Sequence, residues 1–178
     1  AVNDPPTFVA GGNITVYEDC GSYTVTSWAT GISKGPDNED QTLAFTVKTD
    51  NDALFAVLPS LDASTGNLTF TPALNACGDV NMTAVLTDSG NATSATVPFV
   101  IHISAVNDVP IAQDMASGLN TDEDQQISGS LRATDVDGDT LRYELAGSSS
   151  ATHNLTTLVT PHGTVTLNPT TGTYVYVP

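Results

Sequence analysis

The chain has 178 residues, with 20 Asp and Glu against 4 Lys and Arg, a formal net charge of −16. That balance excludes nucleic acid and anionic membrane as partners, because both would be repelled. No stretch approaches the ~18 apolar residues of a bilayer span and no signal peptide opens the sequence, so no membrane insertion is expected.

The chain opens on AVNDPP, and AVNDVP returns at 105–110, a spacing of about one small domain. Proline stiffens φ and holds the residue before it extended, so each copy reads as a linker. Its Asn and Asp put oxygen ligands where two domains would meet. The division predicted is 1–106 and 107–178, two repeat units of a longer chain.

Nearly every segment of the first unit reads as strand. FVAGGNITVYED, SYTVTSW, QTLAFTVKT, NLTFTP, MTAVLTD and VPFVIHIS alternate apolar and polar residues. Turn signals separate them at GP 35–36, DN 50–51, TGN 65–67, CGD 77–79 and DSGN 88–91. No segment has an apolar period of 3.6. About seven short strands in roughly 100 residues is the pattern of a Greek-key β-sandwich, and the fold class predicted is all-β. Trp28, Phe45, Phe55, Phe70 and Phe99 are its expected core.

The second unit reads as strands at ISGSLRATD, DTLRYELAG, NLTTLVT, GTVTLN and TYVYVP. Its sandwich pattern stops before the last two strands. An incomplete sandwich leaves an open edge, so the sequence is expected to continue, or another chain to supply the strands.

Beyond the linkers, acidic residues gather at YEDCG 17–21, GPDNEDQ 35–41, TDEDQQ 121–126 and TDVDGDT 134–140. Carboxylates this close repel unless a cation or water lies among them. Calcium takes six to eight oxygen ligands of the kinds offered here, and it is the cofactor expected. Zinc and copper do not fit, because His102, His153 and His162 lack ligand spacing. TDVDGDT, with Asp135, Asp137 and Asp139, is not an EF-hand loop. Its glycine falls between the second and third Asp, and no Glu stands at the twelfth position. The alternative use of such loops is to cap strand ends and make Asx-turns.

With AVNDPP, the early ED pair and ATDVDGDTLRYEL in view, the chain resembles the cadherin-like tandem repeats of large surface adhesins, the bacterial-type Ig-like modules. EDxG, WATGIS, NDN-x-LF and LTDSG carry the likeness in the first unit; GSL-x-ATD-x-DGDTL, HGTVTLN and the closing TYxYxP carry it in the second. The resemblance implies tandem Greek-key sandwiches with calcium between repeats. It implies Glu18, Asn107, Asp108, Asp135 and Asp137 as ligands, with Asp139 beside them. The top of the first unit would use Asn3, Asp4, Asp37 or Asp40, and Asp88. Glu123 and Asp124 would serve a following junction. The family's mid-repeat Asp-x-Glu is replaced by LNACG, which puts the ion count in doubt. The family topology brings the loops of Cys20 and Cys77 to the same end of the sandwich, so a disulfide between them is expected, in keeping with an extracellular or cell-surface setting.

Asn13, Asn67, Asn81, Asn91 and Asn154 each begin an Asn-x-Thr sequon and are candidate glycosylation sites. No GxSxG, HExxH or Cys–His context is present, and an enzyme is not expected. The function expected is an extracellular spacer or adhesion module of a longer repeat protein, stiffened by calcium. Its partners would be adjacent repeats, with other copies, surface proteins or glycans beyond them. The alternatives are a β-sandwich binding a glycan or protein ligand, which calls for an exposed aromatic platform, and a subunit of a surface filament or coat.

Overall fold

The computed structural model describes residues 3–36, 40–113, 119–147, 149–152 and 155–178. Its contacts divide the chain into two units, Ala1–Val106 and Asn107–Pro178. Both are built of strands, as an all-β tandem fold requires.

The first unit runs β1 (Thr7–Ala10), β2 (Ile14–Tyr17), β3 (Tyr23–Val25), β4 (Ala29–Ser33), β5 (Leu43–Thr49), β6 (Phe55–Leu61), β7 (Leu68–Pro72), β8 (Gly78–Asp88) and β9 (Val97–Ser104), with one 3-10 turn at Asp52–Leu54. A four-stranded sheet, β2-β9-β8-β5, faces a three-stranded sheet, β3-β7-β6, and β1 pairs with β4 at the side. Only β2–β9 is parallel among these pairs. The stretch predicted as one strand, 8–19, is two. Gly11 and Gly12 break it where the Trp28 ring closes on the backbone and its Nε1 donates to Gly12 O at 3.0 Å. The chain then leaves β4 for the other sheet.

Alternation decides the core. On β8 the inward positions Val80, Met82, Ala84 and Leu86 are buried, and on β9 so are Phe99, Ile101 and Ile103. They close over Phe55, Leu61, Leu68 and Phe70 from the facing sheet. Trp28 packs on Phe99 with ring centroids 4.4 Å apart, and Phe55 meets Phe70 edge-on at 5.8 Å. Four of the five aromatics expected in the core are buried; Phe45 is half-buried, edge-on to Phe8.

The second unit has β10 (Ile111–Gln113), β11 (Ile127–Ser130), β12 (Arg132–Thr134), β13 (Ser149–Thr152), β14 (Leu155–Thr160), β15 (Gly163–Leu167) and β16 (Thr173–Val177). Five of them form one antiparallel sheet, β11-β16-β15-β14-β13, and β10 pairs with β12. The predicted strand at DTLRYELAG does not form. Residues 141–145 keep the alternation, with Leu141, Tyr143 and Leu145 half-buried, but belong to no sheet among the described residues. The matching TLAFTV of the first unit becomes β5 because β8 pairs with it from Leu43↔Asp88 to Thr49↔Met82.

The internal repeat extends to single hydrogen bonds. LDASTGNLTFTP at 61–72 matches LNPTTGTYVYVP at 167–178. Asp62 Oδ1 accepts from the backbone N–H groups of Ser64 and Thr65; Asn168 Oδ1 accepts from those of Thr170 and Thr171. Gly66 and Gly172 end the two turns at φ 70° and 71°, a region glycine enters without strain. Their carbonyls each accept a 2.9 Å bond, from Ala29 N and from Leu131 N. β3 pairs with β7 as β11 pairs with β16. β15 and β16 are thus the counterparts of β6 and β7.

Candidate functional site

The acidic residues singled out in the sequence meet different fates. In the first unit, Asp88 ends β8 as its chain turns at 88–92. Its backbone N–H donates to Ala92 O and its carbonyl accepts from Asn91 N, while Oδ1 accepts from Ala92 N at 3.0 Å. Asn3 reaches this carboxylate from the start of the chain, donating from Nδ2 to Oδ1 at 3.3 Å. Gln41, just before β5, donates in turn from Nε2 to Asn3 Oδ1. Gly90 leaves the room for this: a Cβ there would lie 2.6 Å from Asn3 Nδ2.

The cluster is short of donors. Asp88 is only 4 % exposed, yet its Oδ2 has no hydrogen-bond partner among the described residues. Gln41 Oε1 is also buried and without one. A buried carboxylate oxygen left alone is costly, and a cation is a partner that would satisfy it; Asp88 and Gln41 both touch Asn3, through Asp88 Oδ1 and Gln41 Nε2. Gln41 was not singled out in the sequence; its place at the end of GPDNEDQ was the only signal. Asp4 and Asp40 are exposed, and Asp40 lies 3.7 Å from Lys34 Nζ. Asp37 lies outside the described residues.

At the other acidic loop of this unit, Glu18 is buried at 3 % exposure. Its Oε1 accepts from Val106 N at 2.8 Å and its own N–H donates to Ser104 O at 2.9 Å. Glu18 thereby ties the end of β2 to the chain leaving β9. In the second unit, Asp137 Oδ2 accepts from Asp108 N at 2.7 Å, holding the linker to the DxD loop. Asp135 Oδ1 accepts from the N–H groups of Asp137 and Asp139, an Asx-turn finished by Gly138 at φ 77°. Asn107 is exposed and donates from Nδ2 to Asp108 O. Among the described residues no group of three or more His, Cys, Asp or Glu side chains comes close enough to hold a metal. Part of the acidic pattern is thus spent on turns.

The disulfide expected between Cys20 and Cys77 is not formed: both are free, exposed thiols. Their loops do meet, since Asp19 Oδ1 accepts from Asn75 N at 3.0 Å, with both residues in the left-handed region. The Cys20 thiol turns instead onto its own loop, at 3.6 Å from Gly21 O.

The sequons differ in what their amides do. Asn13 Oδ1 accepts from Val100 N, and Asn67 Oδ1 accepts from Ser27 N. Asn81 donates from Nδ2 to Asp50 Oδ2 at 2.7 Å, engaging the nitrogen a glycan would need. Asn91 stands exposed on the turn after β8, at φ 68°. Asn154 lies outside the described residues. The aromatic side chains exposed among the described residues are Tyr17 and Tyr23, while Trp28 is buried. Among those residues no helix is long and apolar enough to cross a membrane.

Comparison with known proteins gives one family: residues 107–178 match the bacterial Ig domain. No curated protein matches the chain. Among solved structures it is similar to Drosophila N-cadherin EC1-3, at 14 % identity and a TM-score of 0.39, covering 99 % of this chain and 56 % of that one. It is similar to the protocadherin GammaB4 extracellular domain, at 14 % identity and a TM-score of 0.45, covering 99 % and 30 %. A third likeness is to SGBP-B of the Bacteroides ovatus mixed-linkage glucan utilization locus, in complex with a heptasaccharide, at 10 % identity and a TM-score of 0.39, covering 98 % and 40 %. The chain therefore spans about half or less of the length of these structures.

Proposed function

We propose that the chain is a piece of an extracellular spacer or adhesion module stiffened by calcium, because residues 107–178 match the bacterial Ig domain and the unit before them repeats their linker motif and their turn. Bacterial Ig and cadherin-like domains are typically extracellular and non-enzymatic, and they commonly sit in tandem. The observation that carries the calcium reading is Asp88, a buried carboxylate with one oxygen unpartnered among the described residues, linked through Asn3 to Gln41, whose Oε1 is likewise buried and unpartnered among them.

Calcium would be held there by Asp88 Oδ2 and the amide oxygen of Gln41. Carboxylate, amide and carbonyl oxygens are the donors it takes, with water to complete six to eight ligands. The chemistry supplied is charge neutralisation. A divalent ion offsets the buried carboxylate and ties β8, the segment before β5 and the start of the chain into one body. Glu18, Asn107, Asp108, Asp135, Asp137 and Asp139 are the further ligands of this reading. Adjacent repeats of the same chain are the partners it implies.

The experiment is calorimetric titration of calcium into chelator-treated protein, with a melting curve at each end. Saturable binding with a raised melting temperature, lost in Asp88→Asn, supports the reading. Heats that stay at the level of buffer dilution up to several millimolar calcium sink it, and the acidic loops are then turns alone.

A further inference from the structure

We propose that the hollow between β10, β12 and residues 141–144 of the second unit binds a small aromatic carboxylate, a phenyl-sized ring bearing one carboxylate group. The internal repeat explains the hollow. AVNDPPTF at 1–8 matches AVNDVPIA at 105–112, and TLAFTV at 42–47 matches TLRYEL at 140–145, so Phe8 corresponds to Ala112 and Phe45 to Tyr143. The strand pairs set Thr7↔Ser33 against Ile111↔Thr134, and Ile32 therefore corresponds to Ala133. In the first unit Phe8 and Ile32 pack against the core, and the Phe8 ring stands edge-on to Phe45 with centroids 5.0 Å apart. In the second unit both large side chains are replaced by alanine. A hollow of about 280 Å³ opens there, with Ala112, Ala133 and Tyr143 in its lining.

The replacements, rather than strand pairing, account for the opening. Leu43 and Phe45 of β5 are half-buried although β8 pairs with them, and Leu141 and Tyr143 are half-buried likewise. The floor is held in place: Tyr143 N donates to Pro169 O at 2.8 Å, and its ring lies against Gly172, where a Cβ would come within 3.2 Å of it. A ring entering the hollow would meet Tyr143 as Phe8 meets Phe45.

Charge supplies the rest of the ligand. The chain has two arginines, Arg132 and Arg142, and both line this hollow. Both are exposed and so stand at its mouth. Arg142 Nε pairs with Glu144 at 3.4 Å, which engages one of the five N–H donors of its guanidinium. Guanidinium forks match a carboxylate better than any other cationic side chain does. In a chain of net charge −16, which repels anions in general, two arginines at one hollow make a local exception.

The test titrates phenylacetate into the intact, isotope-labelled protein and follows amide chemical shifts. The result expected is saturable shifts centred on residues 112, 133 and 142–143. Acetate, which lacks the ring, and benzyl alcohol, which lacks the charge, each bind about tenfold more weakly or worse. Arg132→Gln and Arg142→Gln each weaken phenylacetate binding by about tenfold, the loss of a charge-assisted hydrogen bond. Ala112→Phe puts back the ring of the first unit and abolishes binding in a protein that still melts cooperatively. If that variant does not fold, the two Gln variants, at exposed positions, decide alone. Shifts that do not saturate, or that centre on the first unit, overturn the proposal. So do equal affinities for acetate, which mean a surface ion pair only, equal affinities for benzyl alcohol, unchanged binding in both Gln variants, or binding retained by folded Ala112→Phe.

Discussion

Asp88→Asn separates a cation ligand from a turn residue by the sign of its effect. The amide keeps an oxygen to accept from Asn3 Nδ2 and Ala92 N, and it removes the charge from a side chain that is 4 % exposed. In chelator the natural protein carries a buried carboxylate oxygen with no donor among the described residues, a penalty of about 1–3 kcal/mol. The variant is then as stable as the natural protein or more so. With a Kd on the order of 10⁻⁴ M, common for extracellular modules, about 10 mM calcium stands about 100-fold above it. Mass action then stabilises the natural first unit by about 2.7 kcal/mol. For a domain of this size that is a rise of about 10–20 °C in melting temperature. The variant gains little of it. The assay is a thermal melt of both proteins with chelator and with calcium, the four curves forming one cycle. An equal loss of stability in both conditions refutes the argument, because it assigns Asp88 to the turn alone.

Gly66→Ala drives a Cβ into the backbone of Ala29, and Gly172→Ala places one 2.7 Å from Leu131 O, both at positive φ. Each is expected to lower stability by at least 1–2 kcal/mol, read as a urea midpoint, and unchanged midpoints would mean the two turns are not built alike. Hydrogen bonds from the Ser64 and Thr65 side chains, then from the Thr65 backbone, hold the Asp62 carboxyl down at about 2. A folded value below the unfolded one contributes stability that is present above pH ~4 and lost as pH falls through 2. Asp62→Asn therefore flattens the acid limb of a stability–pH curve over that window, and an identical limb in both proteins rules the turn out as its source. Glu18→Ala leaves Val106 N without its acceptor and costs about 1–3 kcal/mol in denaturant unfolding, whereas Glu18→Gln retains most of the stability. A thiol reagent should titrate both Cys20 and Cys77 in the native, unreduced protein; a silent pair would mean they are bonded after all.

Strand positions in the first unit were legible because alternation needs only neighbours two residues apart. Val80, Met82 and Ala84 point inward wherever β8 pairs, so the apolar set could be read before any partner was known. The linker repeat and the all-β class were legible for the same reason. Strand formation at 141–145 was not, since its pattern equals that of β5 while β5 is paired along its length by β8 and residues 141–145 join no sheet among the described residues. β4 and β6 were missed because Gly31 and Pro59 interrupt the pattern, while β1 and β7 supply the pairing that makes them strands.

The acidic residues divide along the same line. Their number and clustering stand in the sequence, and they establish a chain that repels anions and offers oxygen ligands. Their uses differ by what the fold brings up to each. Asp135 meets backbone N–H groups two and four residues on and becomes a turn, a local event. Glu18 meets Val106, and Asp88 meets Asn3, which Gln41 meets in turn, across long stretches of chain. Whether a carboxylate oxygen is solvated, capped or left bare inside the protein depends on which strands close over it. Composition and alternation set the class of fold and the kinds of ligand available. Only the pairing of distant strands decided that Asp88 is buried with an oxygen that lacks a partner among the described residues.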